Sequence, residues 1–178
     1  MTPVLEATAV RLLPYGPEHD AQTVAWLNDE RMQRSFGLSR TITLASHRAW
    51  IVANKDVLIW AISGEADEHF GNILLQPVHS RRSAYLQIYL GNPDARGKGV
   101  GWKALACVLD FSFGSLGLHR VWLHTLSDNR LAAALYEKAG FVREGIERGA
   151  LPRDGSFVDQ WRWSILSHEW KPGTAGSR

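Results

Sequence analysis

Apolar residues fall into short runs separated by glycine, proline and acidic turns, and their spacing predicts the elements in order. Val10, Leu12 and Leu13 stop at Pro14 and Gly16, giving a first strand near 8–13. Pro17-Glu18-His19-Asp20 sets a proline and acids in a first helical turn, and Val24, Leu27 and Met32 carry a helical stripe that ends before Gly37. Thr43 and Ser46 open a second, short helix over 44–54. Strands follow at 57–63, 70–76 and 84–90, the first two joined across Gly64-Glu65-Ala66-Asp67 as an antiparallel hairpin. Leu105, Val108, Leu109 and Ser112 recur at core-facing spacing in a helix over 100–113, which Gly114 and Gly117 close. The run 119–126 reads as a strand, 129–139 as a helix capped by Ser127 or Asp128 and ended by Gly140, and 141–148 and 157–165 as strands around a turn with Pro152 and Asp154-Gly155. The tail 171–178 is expected to be disordered.

That order predicts an α+β fold, with a mixed and mostly antiparallel central sheet flanked by helices. No repeat or linker interrupts it, so 1–178 reads as one domain, and 178 residues are enough to bury a core without staples. A lone cysteine, Cys107, excludes an internal disulfide framework and suits a reducing compartment. The opening MTPVLEATAV lacks the basic and apolar regions of a signal peptide, and no apolar stretch approaches 18 residues. The expectation is a cytoplasmic protein with no membrane partner. The formal charge is +2 and basic residues never run longer than Arg81-Arg82, so no nucleic-acid partner is expected. Most of the eight tryptophans read as core or half-buried anchors, with Trp26 and Trp50 able to stack on a ring in a pocket.

Candidate chemistry begins at Arg96-Gly97-Lys98-Gly99-Val100-Gly101, between a strand and a helix. Glycines there admit backbone conformations closed to other residues, and the first-turn amides of a helix attract anions, so the turn suits a phosphate or diphosphate held by main chain. The competing readings are an ordinary flexible turn and a dinucleotide site, since Gly99 to Ala104 fits G-x-G-x-x-A. The dinucleotide reading lacks its ribose-binding acid, because the position about 20 residues on falls near His124. No G-x-x-x-x-G-K-[ST] is present, which excludes a P-loop.

The second stretch is the helix after Asn129. Asn129 and Tyr136 are seven residues apart, so a regular helix would set them within about 20° of one another, with Ala132 and Ala133 between them. A polar and a phenolic group flanking a small-residue saddle would suit a slender chain. Leu131 and Leu135 are expected to face the core. Tyr136 also reads as an ordinary packing tyrosine.

Arg96 to Gly101 as R-x-x-G-x-G, followed by Asn129 to Phe141 as N-x-x-A-x-x-L-Y-E-K-x-G-F, resembles the GCN5-related N-acetyltransferase superfamily. The resemblance covers roughly 84–165. It implies acetyl-CoA as acetyl donor, its diphosphate on Arg96, Gly97, Lys98, Gly99, Val100 and Gly101, and the thioester oxygen near the amide of Leu90. It also implies that Asn129 contacts the cofactor and that Tyr136 protonates the departing thiolate. Acetyl would pass to a primary amine by direct attack on the thioester, with no metal. Relatives carry glutamate where Tyr85 stands, so the usual base is missing; Glu18, Asp29, His47, His79 or a water relay could replace it. At Leu131, where relatives often carry arginine, the effect would fall on packing or phosphate contacts.

For the acceptor, Trp26 and Asp29 with His47 and Trp50 suggest a small-molecule amine, such as a nucleotide-linked amino sugar. The late strands resemble the ribosomal-protein-alanine and spermidine acetyltransferase branch, which makes a polyamine or a protein N-terminus the alternatives. A silent coenzyme A-binding module and a nucleotide-binding regulatory domain are the readings from other classes. A homodimer through the late strands is the candidate assembly.

Overall fold

The computed structural model describes residues 2–38 and 40–171. The expected disordered tail, from residue 172 on, lies outside them. In chain order the elements are β1 (Leu5–Ala7), β2 (Val10–Pro14), α1 (Asp20–Leu27), α2 (Glu30–Phe36), α3 (Leu44–Ala53), β3 (Leu58–Ser63), β4 (His69–Val78) and β5 (Ser83–Leu90). They continue with α4 (Val100–Asp110), β6 (Arg120–Leu126), α5 (Arg130–Lys138), β7 (Val142–Arg153) and β8 (Ser156–Leu166). Eight strands form one sheet in the order β1-β2-β3-β4-β5-β6-β8-β7. Every neighbouring pair is antiparallel except β5 and β6. The α+β class and mixed sheet read from the sequence are therefore the architecture observed.

Alternation along the central strands builds the core. Ile73, Leu75, Leu86, Val121, Leu123, Trp163 and Ile165 are buried on one face, against Ala104, Leu105, Val108 and Leu109 of α4. Trp60 and Trp163 are fully enclosed, and each spends its indole N–H, on the Pro3 carbonyl at 2.6 Å and the Thr125 hydroxyl at 2.9 Å. Enclosed indole donors need such partners.

Several local readings change. The first strand is a hairpin, β1 and β2, turning at Thr8-Ala9 with Ala9 at φ +62°. No glycine or asparagine marks that turn. The stripe over Val24, Leu27 and Met32 is broken at Asn28-Asp29: Asp29 leaves helical geometry and caps α2, accepting from the Met32 amide at 3.2 Å. Asn28 donates to the carbonyls of Val24 and Ile42 and accepts from the Ile42 amide at 2.8 Å, tying the break to the approach of α3. The α5 cap is Asn129 itself, which accepts from the Ala132 amide, and not Ser127 or Asp128. Asn129 therefore lies off the helical face that its spacing from Tyr136 implies. Leu131, read as core, is 88% exposed. The inward stripe is instead Ala132, Tyr136 and Ala139, at i, i+4 and i+7, with Tyr136 and Ala139 buried and Ala132 and Leu135 partly buried against the core. Finally, β7 runs on to Arg153 and includes Pro152, which an outer strand tolerates because its free edge needs no donor.

Candidate active site

β5 and β6 pair only where they begin, Ser83–Tyr85 against Arg120–Trp122. Beyond that point β5 stays registered with β4 as far as Leu90, and β6 with β8 as far as Leu126. The two strands therefore part, and the edge of Leu86–Leu90 that faces β6 has no strand partner. Main-chain groups left in this way require water or a ligand. The gap opens into a cavity of about 740 Å³, whose lining includes Leu90, Arg96, Asn129 and Tyr136 together with Trp26 and Asp29.

At one end of the gap stands the start of α4. Gly97 and Gly99 take φ +71° and +72°, the left-handed region that favours glycine, and Gly99 is the N-cap. A glycine cap offers no side-chain acceptor, and the amides of Val100, Gly101 and Trp102 donate to no described residue. Those amides sit at the positive end of an 11-residue helix. Gly101 differs, having ordinary helical backbone. A Cβ there would sit 3.7 Å from Leu90 and 3.8 Å from Leu135, so this position is where β5, α4 and α5 meet.

On the α5 side the Tyr136 ring is 4% exposed, packed on Phe141 and Trp163 at centroid distances of 5.5 and 6.3 Å. Every fully enclosed side-chain N or O among the described residues has a partner, and the Tyr136 hydroxyl bonds to none of them. Its oxygen therefore reaches the cavity the residue lines. Burial, followed by the neighbouring Tyr85 phenol, pushes its pKa above the ordinary phenol value and keeps it protonated.

The opposite sheet face presents a second cluster. Tyr85, Trp122 and His124 pack together with centroids 4.6, 5.3 and 5.8 Å apart. His124 Nε2 lies 3.0 Å from Glu147 Oε1, and Gln160 donates to Glu147 Oε2 at 2.6 Å. The Gln160 donation, foremost, and the nearby His124 hold the Glu147 carboxyl below its ordinary pKa, against some burial. Burial raises the Tyr85 phenol, against the hydrogen bond it receives from Gln87. Further along, Phe36 packs edge-on to Tyr89 at 5.5 Å. Tyr89, its phenol pushed up to about 12 by burial, accepts from Asn72.

Of the residues singled out in the sequence, Leu90, Arg96, Asn129, Tyr136, Trp26 and Asp29 share this cavity, and Gly97 to Gly101 start the helix beside it. His47 and Trp50 do not line it. His47 is buried with its Nε2 2.9 Å from the Tyr15 hydroxyl and 3.5 Å from Asp20, which Arg48 also holds, so it ties α3 to α1. Burial lowers the His47 pKa. Trp50 is 41% exposed on α3. Glu18 lines a second cavity, of about 580 Å³, and His79 is exposed in the β4–β5 turn. His124 and Gln160, which line the cavity, and Glu147, which both contact, are polar residues that the sequence did not single out. No group of three or more metal-ligating side chains is found among the described residues, and no described helix is long and apolar enough to cross a membrane.

The chain is 35% identical over 97 residues to spermidine N(1)-acetyltransferase of Vibrio cholerae serotype O1, covering 54% of this chain and 56% of that protein. The match thus spans about half the length of that relative. It is 25% identical over 177 residues to the uncharacterised N-acetyltransferase YoaA of Bacillus subtilis, covering 93% and 98% of the two chains. In fold it resembles the crystal structure of Vibrio cholerae spermidine N-acetyltransferase in complex with CoA and spermine, with a TM-score of 0.85 at 22% identity over 91% of this chain and 98% of that one. Residues 10–142, most of the sheet with α1 to α5, match the acetyltransferase (GNAT) domain, and the chain belongs to that family.

Proposed function

We propose that the protein is an acetyl-CoA-dependent N-acetyltransferase acting on the primary amine of a small molecule. The observation that carries this reading is one cavity that holds an unpaired strand edge and the Tyr136 hydroxyl and that Arg96 also lines, beside the start of α4, which has no side-chain cap. The diphosphate of the donor would lie on the amides of Val100, Gly101 and Trp102 beside Arg96. Its pantetheine arm would then run along Leu86–Leu90, whose free main-chain groups pair with amides as a neighbouring strand would. This sets the thioester in the gap between β5 and β6, where a preorganised backbone donor near Leu90 is worth about 3 kcal/mol to the tetrahedral oxyanion. The amine attacks the carbonyl carbon, the C–S bond breaks, and Tyr136 protonates the sulfur.

For the acceptor, relatives named for spermidine favour a polyamine. The amino-sugar reading loses support, since His47 and Trp50 lie away from the cavity. Assembly through β7 fits its place as the outer strand with Val142 and Ile146 exposed. A protein so assembled, with one buried cysteine, suits the cytoplasm.

The test is thermal-shift measurement with acetyl-CoA, NAD and ATP, followed by thiol release with spermidine, nucleotide-linked amino sugars and short peptides. A melting shift with acetyl-CoA and thiol release with spermidine are expected. Binding without thiol release from any amine would leave only a coenzyme A-binding module. A shift with NAD or ATP alone would overturn the reading altogether.

A further inference from the structure

We infer that His124 removes the proton from the acceptor ammonium, with Glu147 and Gln160 as positioning residues for its ring; this rests on the acetyltransferase reading above. A primary amine is protonated near neutral pH and must lose a proton before its lone pair can attack. The other polar groups of the cavity are ill suited to take it. Asp29 Oδ1 is engaged in capping α2. Glu147 does not itself line the cavity, and both its oxygens are engaged, by His124 and by Gln160. Burial keeps the phenols of Tyr85, Tyr89 and Tyr136 protonated, and Arg31 and Arg96 are permanent cations.

His124 is arranged for the task. Glu147 is a carboxylate, so the ring nitrogen facing it, Nε2, carries the hydrogen. In the neutral ring Nδ1 then holds the lone pair, and the ring lines the cavity. Once a proton arrives, the carboxylate 3.0 Å away stabilises the imidazolium. Register places this group opposite Tyr136. Leu123 pairs with Trp163 and His124 with Arg162, so the alternation of β6 and β8 puts Trp163 and His124 on different sheet faces. Tyr136 packs on Trp163. The proton acceptor and the proton donor therefore flank the gap from its two sides.

The step balances. His124 takes one proton from R–NH3+, and the freed lone pair forms the C–N bond while the carbonyl π pair moves to oxygen. Collapse breaks C–S, and the sulfur takes the Tyr136 proton. The tetrahedral nitrogen's second proton then restores the tyrosine, and the imidazolium releases its own to solvent. Charged and titratable groups around His124 are Tyr85 from β5, Glu147 from β7, Arg162 from β8, and Asp29 and Arg31 from α2 and its cap.

The experiment compares wild type, His124→Gln and Glu147→Gln, using acetyl-CoA and the panel amine that gives the fastest thiol release. In His124→Gln, kcat at pH 7 should fall about 100-fold while acetyl-CoA affinity stays unchanged. Its rate should then climb through the alkaline range as solvent deprotonates the amine. In Glu147→Gln, which frees the ring held by the 3.0 Å contact, kcat at pH 7 should fall while acetyl-CoA affinity, KM for the amine and the urea midpoint hold; a purely structural role would lower the midpoint as well. Wild-type kcat in His124→Gln, or a loss uniform across pH, would overturn the inference while leaving the acetyltransferase reading intact. Absence of thiol release from wild type would instead sink that reading, and this inference with it.

Discussion

Tyr136→Phe removes one oxygen, and the surroundings of that oxygen fix what should follow. The hydroxyl bonds to no described residue, while the ring keeps its contacts with Phe141 and Trp163 in either form. No partner is orphaned and no cavity opens in the core, so stability should change by less than about 1 kcal/mol. Acetyl-CoA affinity should hold too, because on the proposed reading the diphosphate would lie on α4 amides that the substitution does not touch. Catalysis is the exception. A general acid contributes about 10²–10⁴ in rate, and a thiolate is already a fair leaving group, which argues for the lower end. We expect kcat to fall about 100-fold, or about 2.7 kcal/mol in the barrier. Isothermal titration with acetyl-CoA, a urea melt and a thiol-release assay at saturating amine separate the three quantities. Unchanged kcat would remove Tyr136 from the chemistry. A parallel loss of affinity or stability would show that the ring, and not the proton, is what matters.

Four other outcomes are expected. Gly99→Ala should lower stability by about 1–2 kcal/mol, since a left-handed alanine is strained even where nothing lies within 4 Å of the new methyl. Gly101→Ala should leave stability unchanged or raise it by up to about 1 kcal/mol, having helical backbone and ordinary contacts with Leu90 and Leu135; urea midpoints moving the same way for both would refute the distinction. Asn28→Ala should cost about 2 kcal/mol, from three hydrogen bonds at a partly buried helix break, and a melt within error of wild type would refute that. Stability should also fall in alkali. Tyr89 and Tyr136 have raised folded pKa values, so above about pH 10 the unfolded chain loses protons that the native state keeps, steepening the fall by about 1.4 kcal/mol per pH unit for each. Urea melts from pH 9 to 11.5 on wild type and Tyr89→Phe read that slope, and equal slopes would contradict it.

What the chain disclosed by itself was whatever lies close together along it. The glycine turn and the helix carrying Tyr136 are local, and their residues meet in the structure because β5, α4 and α5 converge at Gly101. Leu131 misled because leucine on a helix suggests burial, whereas the packed stripe on α5 uses two alanines and a tyrosine. His47 and Trp50 share a helix whose inward contacts are Tyr15 and Asp20, and helical spacing cannot say which neighbour a face will meet. The His124–Glu147–Gln160 group was hidden for a different reason. It depends on β8 inserting between β6 and β7, and on the register shift between Arg143 and Gly145 that sets Glu147 opposite Gln160. Alternation of Trp122 and His124 with Val121, Leu123 and Thr125 could have revealed the face, but not the carboxylate waiting on it.

The site exists because the sheet can afford to come apart at one seam. β5 keeps its full pairing with β4, and β6 keeps its own with β8, so each half of the sheet is complete without the other. Parting them leaves unpaired only the facing edges beyond Tyr85 and Trp122. Those edges face a cavity with an anion-seeking helix start at one end, and an amide-bearing arm anchored there would restore the lost pairing. A thioester held in the seam would be open to both sheet faces, with His124 on one and Tyr136 on the other. The nitrogen's proton can then leave on one side while sulfur gains its proton on the other.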